Sequence, residues 1–322
     1  MSGRRGYEAF WRISRRQAWP IAGAVFLVLA ASGAFWLVHH QSAPPSVATL
    51  APVPTAATFD INSATEAEID RNNSASLTVF RLAEQPHILV LDFASLHRQG
   101  KMLNRVAAFV EKNGLPHDRV VSESELDAVI RAGGGTAETF YFGHDYSAQS
   151  LRRFFVSADN QGVQLNPEEE KLRALLRHEG WFQPGVAAGL ISVPAVGSDP
   201  RITASVRSTI LRHELSHGEF FSNPQYTAYV HEFWQSALTE GERAAVRAFL
   251  KREGYDPGDE ELMYNEMQAY LMFTRDPLFF TPRMVGMTQE RLSAIQAAFL
   301  SGMPDGWLRH TLASYDGGVS AL

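Results

Sequence analysis

Residues 209–221 read TILRHELSHGEFF, and within them His213, Glu214 and His217 form an HExxH pattern. On a helix, two histidines four residues apart project from one face on successive turns, so both imidazoles reach one metal ion. Glu214 stands one step round from the first histidine, where a carboxylate takes a proton from a metal-bound water. Val206, Ile210, His213, His217 and Phe220 share one stripe, which turns the histidines inward. The chain carries its own controls. His178-Glu179 and His231-Glu232 are also HE pairs, but Phe182 and Gln235 stand where the second histidine is required.

Two histidines leave a catalytic zinc one protein ligand short. A metzincin pattern needs Gly and His at positions held here by Phe220 and Asn223, and His231 lies in no supporting pattern. A third source is a glutamate on a later helix. The stretch 259–274, DEELMYNEMQAYLMFT, is apolar on nearly every face and predicts a buried helix on which Leu262, Glu266, Ala269 and Phe273 share a stripe. A glutamate buried there is costly unless a positive group meets it, and Zn2+ is such a group. Ala269, one turn on, is small enough to admit close approach of the HExxH helix.

HExxH followed by a helix carrying NExxA (Asn265, Glu266, Met267, Gln268, Ala269) resembles the gluzincin zinc metallopeptidases. It is similar to the compact members typified by anthrax lethal factor and the Mlc titration factor. The resemblance spans about 60 residues, from Arg212 to Phe273, with Glu266 lying 49 residues after His217. It implies His213, His217 and Glu266 as Zn2+ ligands, Glu214 as general base, and a peptide or protein as substrate. Two positions depart from the pattern. Tyr270 stands where an Asp often orients the first histidine, and Glu219 stands where an apolar residue is usual. Tyr226, Tyr229, His231 and Tyr264 are the candidates for stabilising the oxyanion.

With 322 residues, 45% of them hydrophobic and 20% charged, the chain is long enough for one large or two small globular domains. A net charge of -6 argues against a nucleic-acid partner, and the absence of cysteine leaves His, Asp and Glu as the only metal-site builders. Pro20 to Val38 is almost wholly apolar and follows five arginines, Arg4, Arg5, Arg12, Arg15 and Arg16. That arrangement predicts an uncleaved single-pass anchor in the cytoplasmic (inner) membrane, its N-terminus cytoplasmic and its main domain periplasmic or extracellular. The expected organisation is a basic N-terminus (1–19), a transmembrane helix (20–40), a Pro/Ala-rich linker (41–58), an N-terminal αβ region (59–180) and a helical metallopeptidase region (181–322).

The fold class expected is α+β, predominantly helical, with a small sheet. SLTVFRL and ILVLDF, in 76–93, predict adjacent strands, and helices are expected at 95–113, 123–132, 148–158, 167–178, 224–236 and 240–253. The run 188–196 predicts a strand whose Pro194 suits a sheet edge, and an extended substrate is expected to lie along 189–194. His144-Asp145, in FYFGHDY, could form a second polar site but is read as a turn. Two other functional readings fit the sequence: an inactive gluzincin that keeps zinc structurally, and a tethered envelope scaffold that binds a partner through 60–180.

Overall fold

A computed structural model describes residues 59–317 of the chain. The basic N-terminus, the expected membrane helix and the linker lie outside the described residues. Among those described, no helix is long and apolar enough to cross a membrane.

The architecture is α+β and predominantly helical, around one five-stranded sheet. Strands β1 (Ile61–Ala64), β2 (Thr78–Leu82), β3 (Ile88–Phe93), β4 (His144–Ser147) and β5 (Gly189–Pro194) lie in the order β1-β2-β3-β5-β4. The expected pair β2 and β3 is antiparallel, with Phe80 opposite Val90. Strand β5 runs parallel to β3 and antiparallel to β4, with Ile191 opposite both Val90 and Asp145.

The expectation that 189–194 forms the sheet edge is therefore wrong. Strand β5 is interior, and β4 is the edge. Pro194 is tolerated because β4 pairs only with residues 189–192, so no neighbour on that side needs its missing N–H. His144-Asp145, expected as a turn, begins the edge strand itself.

Strands β3 and β5 are buried throughout because both faces of the sheet are covered, which is why they read as unbroken apolar runs. On one face Leu89, Leu91, Phe93 and Leu190 pack against α2 (Leu96–Val110), α4 (Ala148–Gln161) and α5 (Pro167–His178). On the other, Ile88, Val90, Ile191 and Val193 meet Leu211 and Leu215 of α6 (Ala204–Ser222). Each of these aliphatic side chains contributes about 1.5–3 kcal/mol by leaving water. A Cβ on Gly189 would approach the Gly218 backbone to 3.0 Å, and one on Gly218 would come within 2.9 Å of Ile88. These two glycines let the HExxH helix lie directly on β5.

Helix starts follow their sequence signals. Ser122 opens α3 (Glu123–Ala132) and Thr239 opens α8 (Glu240–Glu253), each through a reciprocal capping box. Helix α6 begins at Ala204, where the Thr203 side chain accepts from the Val206 N–H and caps it. A second core, almost wholly helical, gathers residues of α7 (Pro224–Ser236), α8, α9 (Glu260–Gln268) and α10 (Gln289–Gly302). The regions on either side of residue 180 share the sheet, since β5 comes from the second and its two neighbours from the first.

Candidate metal centre

Helix α6 is buried on nearly every side, and His213, Glu214 and His217 are 5%, 3% and 0% exposed. Opposite them, α9 carries Asn265 and Glu266, with Glu266 fully buried. The α-helical pattern expected across 259–274 stops at Gln268. Residues Ala269–Phe273 form a π turn, with the Thr274 N–H donating to the Ala269 carbonyl over 3.0 Å. Such a turn widens the helix by one residue and re-aims the side chains beyond it.

Thr274 is the first side chain past that turn. Its hydroxyl donates to Ala269 (3.0 Å) and lies 2.8 Å from His213 Nδ1, so it accepts the ring N–H. His217 Nδ1 donates in the same way to Asn265 Oδ1, at 2.9 Å. Both rings are thereby held with Nε2 unprotonated and pointing at each other, 3.1 Å apart. Two bare lone pairs at that distance repel unless a cation joins them. Burial, followed by the neighbouring His217, holds His213 well below the usual histidine range, so a proton is a poor candidate for that cation.

Glu266 completes the group. Its Oε1 lies 3.6 Å from His217 Nε2 and its Oε2 lies 3.8 Å from His213 Nε2. Among the described residues neither oxygen has a hydrogen bond within 3.5 Å. Burial, with Asp145 and Glu111 adding to it, pushes the carboxyl well above its usual range, and the nearby Tyr255 phenol opposes this only in part. Tetrahedral zinc holds N and O donors at about 2.0–2.2 Å, which places ligand atoms roughly 3.3–3.5 Å apart. The separations of 3.1, 3.6 and 3.8 Å lie within a few tenths of an ångström of that range, with one Glu266 oxygen facing each histidine.

Glu214 lies beside the group, its Oε2 buried and without a hydrogen bond. Burial pushes its carboxyl well above the usual range, and Asp145, Glu266 and Glu111 add to the effect. Its position depends on a glycine just before the edge strand. A Cβ on Gly143 would fall 2.0 Å from Glu214 Oε1, inside the space the carboxylate occupies.

The structure thus brings together all four residues singled out in the sequence. It does not bring the oxyanion candidates to them. The Tyr226 hydroxyl is engaged by Gln268, that of Tyr229 by the Phe299 carbonyl, and His231 by Gln235. Tyr264 stacks against Phe220 and His231. Tyr270 does not accept the His213 proton; its ring stands edge-on to His213, with centroids 4.8 Å apart, and Thr274 takes the proton instead. Glu219 turns away to Trp307 and Asn223, 2.8 Å from each.

Two acids outside the site read from the sequence complete the surroundings, one of them, Asp145, in the stretch read as a turn. Asp145 projects from β4 with Oδ1 3.7 Å from His217 Nδ1, and Glu111 comes directly after the last turn of α2. Their signal was weak: one sits in an apparent turn, the other at a helix end far from any motif. A cleft of about 280 Å³ is lined by Glu111, Asp145, Asn265 and the β4 residues Tyr146 and Ser147, beside the four site residues rather than over them. His144, by contrast, is tied to Gln99 and Ser192, and burial keeps it neutral at a value of about 3. Comparison of the chain with protein-family models, with curated proteins and with solved structures returned no match.

Proposed function

We propose that this chain is a membrane-anchored, extracytoplasmic zinc metallopeptidase of gluzincin type. His213, His217 and Glu266 would hold the metal, and Glu214 would act as general base. The reading is carried by one observation: two imidazole lone pairs 3.1 Å apart and a buried glutamate without hydrogen bonds converge on a single point beside Glu214. Zinc bound there supplies a Lewis acid, polarising a peptide carbonyl and acidifying water.

The remaining work belongs to the protein. Glu214 takes the proton of the attacking water at its free Oε2 and returns it to the departing amine. Thr274 and Asn265 fix both imidazoles in the tautomer that leaves Nε2 available. A peptide entering the cleft meets the open edge of β4 rather than β5, and an extended segment would add to the sheet there.

A test needs two variants of the full-length chain. Wild type should retain zinc through gel filtration, and His217→Ala should lose it. Glu214→Gln should keep the zinc and lose hydrolysis of a mixed peptide library. A chain without zinc, or a Glu214→Gln protein as active as wild type, refutes the proposal. The burial of all three ligands also suits a second reading, in which zinc serves structure alone. In that case wild type binds zinc but cleaves nothing in the library.

A further inference from the structure

A mononuclear centre accounts for Glu266 and gives Glu214 a task, but leaves two buried acids over. Glu111 is 3% exposed and Asp145 is 8% exposed. Among the described residues neither carboxylate accepts a hydrogen bond, and the nearest basic nitrogen to Asp145 is His217 Nδ1, 3.7 Å away and already donating to Asn265. Lys112 favours the charged form of Glu111 through space, but among the described residues makes no ion pair with it; it lies over the Phe140 and Tyr141 rings, 4.9 and 5.0 Å from their centroids. Buried carboxylates in folded proteins are met by donors or by metal.

One oxygen each from Glu111, Asp145 and Glu266 lies within 4.8 Å of the others. Glu266 is fully buried, and neither of its oxygens has a hydrogen bond within 3.5 Å, Tyr255 being the one donor nearby among the described residues. Its two oxygens can therefore serve two neighbours. We propose that Glu111, Asp145 and Glu266 form a second divalent-cation site, bridged through Glu266 to the histidine site. The inference rests on the proposed function only in sharing that glutamate.

Charge favours cations here. Glu111, Asp145, Glu214 and Glu266 carry four negative charges when ionised, against neutral histidines and the single positive charge of Lys112 beside Glu111, so the acidic charge exceeds what one dication offsets. Three carboxylates with no nitrogen or sulfur make a hard, oxygen-only donor set, suited to Mg2+, Mn2+ or Ca2+ and open to Zn2+. The 280 Å³ cleft supplies an entry path, since Glu111 and Asp145 line it and Asp259 and Glu261 add acidic groups to its wall. Open coordination positions there would face any peptide drawn along β4.

The test is metal stoichiometry on the full-length chain, loaded separately with excess Zn2+ and Mn2+ and freed of unbound ion. Wild type should hold two ions per chain. Glu111→Gln and Asp145→Asn, checked by circular dichroism for unchanged helix content, should each hold one. The Mn2+ form of wild type should give the electron paramagnetic resonance spectrum of an exchange-coupled pair, a readout that needs no variant. One ion per chain, lost in His217→Ala, overturns the second site and leaves the histidine site standing. No bound ion overturns both, and two ions persisting in both variants overturns the assignment to these carboxylates.

Discussion

Buried acids occur in two settings in this molecule. Asp92 on β3 and Glu169 on α5 are 2% and 0% exposed, and each is saturated with donors. Arg207 reaches both oxygens of Asp92, at 3.0 and 2.8 Å, and Asn72 adds a third bond at 2.8 Å. Arg105 grips both oxygens of Glu169, and the Asn166 N–H adds a bond of 2.9 Å. Glu111, Asp145, Glu214 and Glu266 are also buried, at 0–8% exposed, and receive almost nothing. Burial itself raises the pKa of all four. Depth is therefore not what separates structure from function here. The first pair ties helices to the sheet and to each other; the second set has no such donors, and under the proposed function an external cation would supply the missing charge.

Substitutions should split along the same line. Asp92→Ala strands the Arg207 guanidinium, which is fully buried, and should cost about 3–5 kcal/mol in a urea melt. Glu266→Gln should do the reverse in metal-free protein, leaving stability equal or higher, because it removes an unmet charge. In zinc at a thousand times its Kd, wild type should gain about 4.1 kcal/mol and the variant almost none. A Glu266→Gln chain that melts early without metal would place Glu266 with the structural acids.

Gly143→Ala tests the site without touching a ligand. The added Cβ meets the end of a side chain, so Glu214 swings aside; zinc should stay, while hydrolysis drops by about 10²-fold, the lower end of what a positioned base contributes. The smallest change is Thr274→Val. Removing the acceptor of His213 Nδ1 should weaken zinc binding by about 10–100-fold in a chelator titration, with the melt little altered.

Much of the fold was legible because local rules and tertiary packing agree. Helices 167–178, 224–236 and 240–253 begin and end where Asn166, Asn223, Thr239 and Gly254 mark them. The four site residues were legible because HExxH ties two of them to one helical face and Glu266 stood out in an apolar stripe. The edge strand was not. Pro194 suggested an edge, and only the pairing of β4 across 189–192 reveals that β5 is interior. The π turn was equally hidden, since AYLMF is as good a helix as any by pattern and its extra residue is fixed by Thr274 reaching His213. Glu111 and Asp145 carry no spacing signature at all; distant stretches of chain place them.

One small feature bears on how the molecule is made. Lys112 and Tyr255 form an isolated antiparallel bridge, sealed by bonds from Asn113 to Gly254 and from Asp256 to Glu111. It brings Glu111 and Tyr255 to the site from opposite ends of a very long loop, and contacts that close long loops form late in folding. Under the proposed metal sites, an ion held by Glu111 would arrive after that closure is complete. In refolding experiments, ion uptake should lag behind the slowest phase of tryptophan fluorescence, so that the bound ion acts as a timestamp of finished assembly.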